Sequence, residues 1–177
     1  MTMFLETERL ILRDFVADDW EQVHVYASDA DLVKFMDWGP NSENATKDYI
    51  DTMIQSQQQT PRAVYEFAIT LKENGFLIGG CGLHVEEHSQ ASLGYCLNRG
   101  FWGCGFASEA AYALCKVGFR ELNVHRIFAT CRPENIASAK VMEKIGMTKE
   151  GLLREHFYVK GKWQSSFLYS VLANEFR

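Results

Sequence analysis

The sequence contains no long run of hydrophobic residues, and it has no Pro/Ser-rich linker, low-complexity segment or internal repeat. Its apolar stretches are shorter than the roughly 20 residues that a membrane-spanning helix needs. The opening residues, Met1 to Glu6, lack the positive charge and the apolar core of a signal peptide. A chain of 177 residues with 47% hydrophobic residues can still bury a full core. We therefore predict one domain spanning residues 1–177, without a membrane segment.

An excess of basic residues is also missing. The chain has 18 Lys and Arg against 23 Asp and Glu, which gives a formal net charge of −5. Direct binding of nucleic acid needs a basic face that neutralises phosphates, so this balance argues against a nucleic-acid partner. An acidic protein attracts cations instead, which favours acceptors such as amines and basic peptide N-termini.

The five cysteines form no C-x-x-C pair and have no nearby histidine in metal-ligand spacing. They are scattered singly, mostly within apolar segments, at Cys81, Cys96, Cys104, Cys115 and Cys131. This usage is typical of reduced thiols in a cytoplasmic protein, and it predicts no metal site. Cys104 differs because it precedes a predicted helix, where a thiolate is favoured, but we interpret it as structural filler in a loop that acts through its backbone.

The most informative stretch, Leu93 to Ala111, runs from a predicted strand through a glycine turn into a helix. Gly103 and Gly105 free the backbone just where the helix begins, near Phe106. A helix start exposes amide N–H groups and carries partial positive charge, so the turn predicts a site for an anion such as a diphosphate. The alternative is a strand–helix turn whose glycines serve only tight packing.

Two familiar phosphate-binding motifs are absent from this stretch. No third glycine follows Gly105 in the G-x-G-x-x-G spacing, and no Lys-Ser/Thr pair follows it as in a P-loop. Both absences disfavour a dinucleotide fold and a P-loop nucleotide site. The string W-G-x-G-[FY]-A-[ST]-E-A, present at residues 102–110, instead resembles the acetyl-CoA pyrophosphate loop of the GNAT superfamily of N-acyltransferases, in the form found in its RimJ/RimL ribosomal-protein acetyltransferase branch.

Further strings carry the same resemblance in the same order. Residues 7–13 read T-E-R-L-I-L-R, which is similar to the opening of RimJ/RimL proteins. Residues 135–138, 143–147 and 150–154 resemble the family signature N-x-x-S…E-K-x-G-[FM]…E-G-x-x-R. The likeness therefore covers nearly the whole chain, from about residue 6 to residue 175.

The resemblance implies an α+β (mixed αβα) fold with a central mixed, mostly antiparallel, twisted sheet, splayed parallel strands and flanking helices. It also implies acetyl-CoA as co-substrate, no metal, and a primary amine as acceptor. The strand backbone would pair with the pantetheine arm, the loop amides would hold the diphosphate, and the start of a later helix would lie near the thioester sulfur. The implied cofactor-binding residues are Tyr95, Cys96, Leu97, Gly103, Cys104, Gly105, Phe106, Ala107, Ser108, Asn135 and Ser138. Candidate partners for the adenosine 3′-phosphate are Arg99, Lys140 and Lys144.

The sequence departs from the family pattern at four positions. These are Gly100, where many members have Gln or Arg; Ser92, where related strands often have Glu; Met142, where many have a catalytic Tyr; and Ser165, where RimJ/RimL proteins often have Asp. The change at Ser92 removes one expected base. The change at Met142 leaves Ser138, by analogy, as the nearest hydroxyl that can protonate the leaving thiolate.

Attack of an amine on a thioester requires a group that accepts a proton from the ammonium. The candidates on strands that border the expected cleft are Glu86, which we favour, and Glu87, His84 and Glu66. Four apolar residues could form the wall of the acceptor site or could simply pack helices on the sheet: Phe35, Met36, Trp38 and Tyr49.

The preferred acceptor is a protein or peptide N-terminus, as for ribosomal-protein-alanine acetyltransferases. One alternative is a small amine, an amino acid or an antibiotic, and another is a non-catalytic acyl-CoA-binding module. Both a monomer and a homodimer are compatible with the sequence.

Periodicity and turn residues also predict the order of the elements. The expected strands cover residues 8–15, 65–71, 76–87, 93–97, 126–131, 149–159 and 164–172, and the expected helices cover 19–26, 30–36, a segment through Ile54 capped by Asn41 or Ser42, a segment from Phe106, and 136–145 capped by Asn135. Gly79, Gly80 and Gly82 lie inside a strand and suggest a bulge or the close approach of another segment.

Overall fold

A computed structural model describes residues 4–177 of the chain. Residues 1–3, which begin the segment interpreted above as unlike a signal peptide, lie outside the described residues. The described strands are β1 (Phe4–Glu6), β2 (Leu10–Asp14), β3 (Val64–Leu71), β4 (Leu77–Glu86), β5 (Gln90–Leu97), β6 (Arg126–Cys131), β7 (Thr148–Val159) and β8 (Lys162–Leu172). The α-helices are α1 (Trp20–Ala27), α2 (Glu43–Ser56), α3 (Phe106–Arg120) and α4 (Ile136–Lys144).

The strands form one mixed sheet in the order β1-β2-β3-β4-β5-β6-β8-β7. Every neighbouring pair is antiparallel except β5 and β6, which are parallel and are joined through α3. Parallel neighbours need such a crossover, and a helix is its usual form. The predicted mixed, mostly antiparallel sheet with one splayed parallel pair is confirmed.

Two hydrophobic clusters cover opposite faces of the sheet. Leu114 of α3 and Met142 of α4 belong to the larger cluster, which also contains Phe67 and Leu83 of the sheet. Helices α1 and α2 pack on the other face, where Ile50 lies in the second cluster. Each fully buried side chain of this size contributes about 1.5–3 kcal/mol relative to its exposed state. The core therefore fixes two distinct sides of the sheet, the α3/α4 side and the α1/α2 side.

Most predicted elements are present, with boundary shifts of one to three residues, the largest at the start of β5. Ser42 caps α2, since its side chain accepts a hydrogen bond from the Ala45 N–H at 3.2 Å. The helix predicted over residues 30–36 is wrong in extent, because only a 3₁₀ turn, Val33–Phe35, forms there. The Asp29 carboxylate accepts the N–H groups of Asp31 and Leu32 as a helix N-cap does, but the chain is already extended at Met36, with ψ of 159°, so only short turns form.

The first predicted strand, residues 8–15, is shorter in the structure and is preceded by another strand. Thr7 makes the turn between β1 and β2, with its N–H bonded to the Leu10 carbonyl and its hydroxyl accepting the Leu10 N–H, both at 3.0 Å. Among the helices of residues 4–177, none combines the length and the apolar character needed to cross a membrane.

Candidate active site

The strands β5 and β6 pair over only three residues, and the pairing ends at Ser92 and Phe128. Beyond this point β6 continues alongside β8 through Cys131, while β5 continues alongside β4 through Leu97. The two parallel strands therefore separate, and we call the space between residues 93–97 of β5 and 129–131 of β6 the strand gap.

Backbone amides of β5 face the strand gap. The Asn98 N–H, just after β5, donates to the Ile78 carbonyl on the β4 side at 2.8 Å. Because N–H groups of successive residues alternate between the two edges of a strand, those of Tyr95 and Leu97 are directed towards β6. An extended molecule with amide groups can pair with an edge of this kind.

The loop from Asn98 to Gly105, which we call the glycine loop, leads from β5 into α3. Gly103 and Gly105 have φ angles of +76° and +82°, in the left-handed region that favours glycine. Gly105 is the N-cap residue of α3 and has no side chain to bond the first-turn amides. The N–H groups at the start of α3 thus have no capping side chain and suit an anion.

Two cations lie beside Gly105. A Cβ built on this glycine would lie 3.5 Å from Nη2 of Arg9 and 3.7 Å from Nζ of Lys144. Arg9 also donates from Nη1 to the Cys104 carbonyl at 3.0 Å, and its guanidinium lies 4.4 Å from the centre of the Phe106 ring. A cleft of about 400 Å³ adjoins the loop here and includes Lys116 in its lining. The donors and charges present therefore fit a phosphate-bearing group.

Glu109 holds Arg9 against the glycine loop. Its Oε1 accepts from the Thr7 hydroxyl at 2.6 Å and from the Arg9 N–H at 2.8 Å, while its Oε2 accepts from Nε of Arg9 at 2.7 Å. Burial opposes ionisation of the Glu109 carboxyl, but these hydrogen bonds from Thr7 and Arg9 lower its pKa. The turn between β1 and β2 is in this way attached to the first turn of α3.

The cofactor-binding residues predicted from the sequence come together in three places: the strand gap, the glycine loop and the start of α4. Their side chains are not alike. Cys96 packs against the α1/α2 cluster, where burial raises the pKa of its thiol to about 12, whereas Cys104 is exposed. Ser108 is buried within the first turn of α3. In this group the backbone, rather than a shared side-chain chemistry, faces the cleft.

Asn135 and Ser138 lie at the start of α4, which contacts the strand gap through Tyr95 of β5. The Asn135 side chain caps the helix by accepting the Ser138 N–H at 3.2 Å, as predicted. The Tyr95 hydroxyl reaches the same residue, donating to the Ser138 carbonyl at 2.9 Å and lying 3.0 Å from its Oγ. Burial raises the pKa of Tyr95, so the phenol stays protonated. Met142, at the position of the family's tyrosine, is buried in the core.

Three of the four candidate bases, Glu66, His84 and Glu86, lie on the α1/α2 side of the sheet. The prediction of Glu87 on a strand is wrong, because β4 ends at Glu86 and Glu87 lies in the exposed 3₁₀ turn that follows. A Cβ on Gly80 would face Tyr26 of α1, so the even-numbered residues that follow on β4, His84 and Glu86 included, share that side. Nε2 of His84 lies 2.8 Å from Oε1 of Glu66 on β3. Glu86 is exposed and pairs with Gln90 at the far end of the hairpin, about 7 Å further along β4 than His84.

The predicted 3′-phosphate partners differ in their surroundings. Arg99 pairs with Asp29 at 3.4 Å and with Asp31 at 3.1 Å, as Arg9 pairs with Glu109 at 2.7 Å. Lys140 is exposed on α4, and Lys144 adjoins Gly105. Sequence reasoning missed Arg9 as part of the site, although the T-E-R-L string that contains it had been singled out. No group of three or more His, Cys, Asp or Glu that could hold a metal ion exists within the described part of the chain.

Comparison with known proteins agrees with this geometry. Residues 9–148 match the family described as "Acetyltransferase (GNAT) domain". The "Uncharacterized N-acetyltransferase YnaD" of Bacillus subtilis (strain 168) is 34% identical over 175 residues, which cover 98% of this chain and 99% of the relative. A crystal structure of a GNAT-family acetyltransferase from Bacillus anthracis covers 98% of this chain and 100% of its own, with 35% identity and a TM-score of 0.88.

A further relative carries a more specific name. The "Putative ribosomal N-acetyltransferase YdaF" of Bacillus subtilis (strain 168) is 28% identical over 146 residues, which cover 81% of this chain and 79% of the relative. These matches define the class of protein as an acetyl-transferring enzyme. The chain belongs to the GNAT acetyltransferase family, and the resemblance on which the sequence analysis relied is confirmed.

Proposed function

We propose that this N-acetyltransferase transfers the acetyl group of acetyl-CoA to the α-amino group of a protein or peptide N-terminus. The observation that carries the acetyl-CoA part is the glycine loop, where free helix-start amides, Arg9 and Lys144 converge on Gly105. A doubly charged diphosphate is stabilised by such amides and by cations at hydrogen-bonding range.

The proposed placement of acetyl-CoA uses backbone groups almost throughout. The N–H groups of Tyr95 and Leu97 would pair with the amides of the pantetheine arm, and the N–H groups from Gly103 through Ser108, at the end of the glycine loop and the start of α3, would hold the diphosphate. Bound acetyl-CoA supplies a thioester, an activated acyl group that an amine can attack. Ser138 is the proposed proton donor near the leaving sulfur, with Asn135 positioning it from the helix cap.

The proposed acceptor rests on charge and on one relative. Carboxylates on the α1/α2 side, Glu66 and Glu86 among them, favour an approaching ammonium. YdaF, by its name, points to ribosomal proteins as acceptors. Ser138 as acid stays a prediction, as do Glu86 as one of the candidate bases, the cytoplasmic location and the single domain over residues 1–177.

An acceptor screen tests this function. The protein is mixed with acetyl-CoA and with peptides that begin in alanine, serine or methionine, and free thiol is measured. The matched control is each peptide with its N-terminus already acetylated. We expect CoA release with free N-termini and at most background release with blocked ones. Faster release with polyamines or free amino acids than with any peptide would overturn the peptide acceptor, and release with no amine at all would overturn amine acetylation.

A further inference from the structure

We propose that His84 is the general base that takes the proton from the acceptor ammonium, and that Glu66 is its positioning residue. This inference rests on the proposed function, since it assumes an amine acceptor. It assigns the base to a hydrogen-bonded imidazole rather than to the exposed carboxylate of Glu86.

The strand register places this pair next to the strand gap. Glu66 on β3, Gly82 on β4 and Gly94 on β5 lie opposite one another in a row across the sheet. His84 lies opposite Ser92, the last residue of β5 that pairs with β6. The pair therefore flanks the point where the two parallel strands separate. Glu86 lies where β5 and β6 are still joined.

The absence of a side chain at Gly82 makes the pair possible. Glu66 and His84 are diagonal neighbours, because Glu66 faces Gly82 and His84 faces Val64. The Glu66 carboxylate reaches the imidazole by lying across Gly82, and a Cβ there would be only 2.1 Å from its Oε1. No ordinary Cβ contact is that short, so any larger residue at position 82 must displace the carboxylate. This is a specific reason for a glycine inside a strand.

The hydrogen bond fixes which nitrogen is free to act. An ionised carboxylate only accepts hydrogen bonds, so Nε2 of neutral His84 carries the hydrogen and Nδ1 keeps the lone pair. The Glu66 side chain is only 18% exposed, whereas half of the His84 side chain is exposed. The carboxylate is thus shielded, while the imidazole stays accessible to an acceptor.

The surrounding groups keep the basicity of His84 high. The hydrogen bond that His84 donates to Glu66 raises the pKa of His84, burial opposes this increase, and the charges of Glu66 and Glu86 add to it. From the helices, Tyr26 and Tyr49 lie within electrostatic range of Glu66, and burial raises the pKa of both phenols. From β5, burial likewise keeps the Cys96 thiol neutral. The carboxylates thus supply the charge that acts on His84.

The proton balance is simple. Nδ1 of His84 takes one proton from the acceptor ammonium, and the freed lone pair forms a C–N bond to the thioester carbonyl carbon. The C–S bond breaks, and its electron pair leaves with the sulfur. The nitrogen loses a second proton as the amide forms, and one proton is taken up by the departing thiolate. His84 then releases its proton to solvent, so one proton is produced per acetyl group transferred.

The test is the pH dependence of kcat/KM, measured with two acceptors of different pKa. We expect the wild-type rate to rise through a midpoint above about 6.5 that is the same for both acceptors. His84→Gln should lower kcat/KM about 100-fold or more, and it should remove this rise, which is the acid limb of the pH profile. Glu66→Gln should shift the limb to lower pH, because it removes the largest cause of the raised pKa.

Two glycine variants make the test specific. Gly82→Ala should shift the limb in the same direction as Glu66→Gln, because its Cβ displaces the carboxylate without changing any charge. Gly151→Ala is the matched control, since it also adds a methyl group in a strand but meets nothing within 4 Å. NMR titration of the imidazole gives a readout besides activity: the His84 midpoint should lie lower in both Glu66→Gln and Gly82→Ala than in wild type.

The outcomes separate this inference from the proposed function. Amine acetylation with the same acid limb in His84→Gln and wild type would overturn the role of His84 alone. Loss of the limb in Glu86→Gln with its retention in His84→Gln would assign the base to Glu86. A wild-type protein that acetylates no amine would overturn the proposed function and the base with it.

Discussion

The hydroxyl of Tyr95 lies 2.9 Å from the carbonyl oxygen of Ser138 and 3.0 Å from its Oγ. The phenol has a single hydrogen and lies within reach of both oxygens, so it can turn from the carbonyl to Oγ when the Ser138 hydroxyl gives its own hydrogen to the thiolate. The contact joins the strand that borders the gap to the helix that follows β6. It therefore positions the hydroxyl that we predict protonates the departing thiolate.

We expect Ser138→Ala to fold and to lower kcat, because it removes that hydroxyl. Tyr95→Phe should also lower kcat and should reduce the free energy of unfolding by about 1 kcal/mol, through the lost hydrogen bond. If Tyr95 acts only through Ser138, its loss should cost no further activity once the Ser138 hydroxyl is gone. The double variant should therefore be no slower than Ser138→Ala. Turnover at saturating acetyl-CoA in the four proteins measures this. Independent effects that multiply in the double variant would contradict the linkage.

Gly105→Val should weaken acetyl-CoA binding at least tenfold, about 1.4 kcal/mol. A β-branched residue is strained at a φ of +82°, and its side chain would contact Arg9 and Lys144. Calorimetry measures the affinity. Gly75→Val is the matched control, because Gly75 has a φ of +71° in the turn before β4 and no neighbour within 4 Å. Equal affinity for acetyl-CoA in a folded Gly105→Val protein and the control would argue strongly against this placement.

Asn135→Ala should lower the free energy of unfolding by about 0.5–2 kcal/mol, because it removes the cap of α4. It should also raise the KM for acetyl-CoA. Ser42→Ala removes the equivalent cap of α2 and should cost a similar amount of stability while leaving KM unchanged. Chemical unfolding and steady-state kinetics of both variants provide the comparison. An unchanged KM in Asn135→Ala would limit Asn135 to its structural role.

Ionisation of Glu109 makes the free energy of unfolding depend on pH in the acid range. Its folded-state pKa lies below the ordinary value of 4.5, so its ionised form stabilises the fold above that value. This contribution is lost as the pH falls through the folded pKa. The stability difference between wild type and Glu109→Gln should be constant from about pH 8 to pH 6 and should shrink towards about pH 3. Urea unfolding at each pH measures it, with Glu43→Gln at the exposed start of α2 as control. A difference that stays constant down to about pH 3 would exclude this linkage.

Local patterns were sufficient to predict most of the fold. Asn135 and Ser42 predict the starts of α4 and α2, because a capping side chain bonds a backbone N–H within three residues of its own position. The parting of β5 and β6 was expected from the resemblance, together with the order of strand, crossover helix and strand. The turn Val33–Phe35 was harder to predict, because the segment begins with a capping residue, Asp29, as a helix does, and yet the chain becomes extended at Met36.

The site depends more on contacts between distant segments. The pairing of Glu66 with His84 requires the register of β3 and β4 and the missing side chain at Gly82. The sequence suggested a bulge or a close approach for Gly79, Gly80 and Gly82. Both are present, because the Glu66 carboxylate lies across Gly82 and the register of β3 and β4 shifts next to Gly79, between Ile69 and Thr70 of β3. Arg9 is separated from Glu109 by 100 residues. The periodicities that predict helices and strands relate only residues that are close in sequence, so they cannot predict this contact.

The central claim is acetyl transfer to an N-terminal amine, and one peptide tests it directly. The peptide carries a free N-terminal alanine and one internal lysine, and the protein is incubated with it and acetyl-CoA before fragmentation mass spectrometry. We predict a single added acetyl group on the α-amino nitrogen of the alanine, formed in step with free CoA. Acetylation confined to the lysine side chain, or CoA release without any acetylated peptide, would contradict this account.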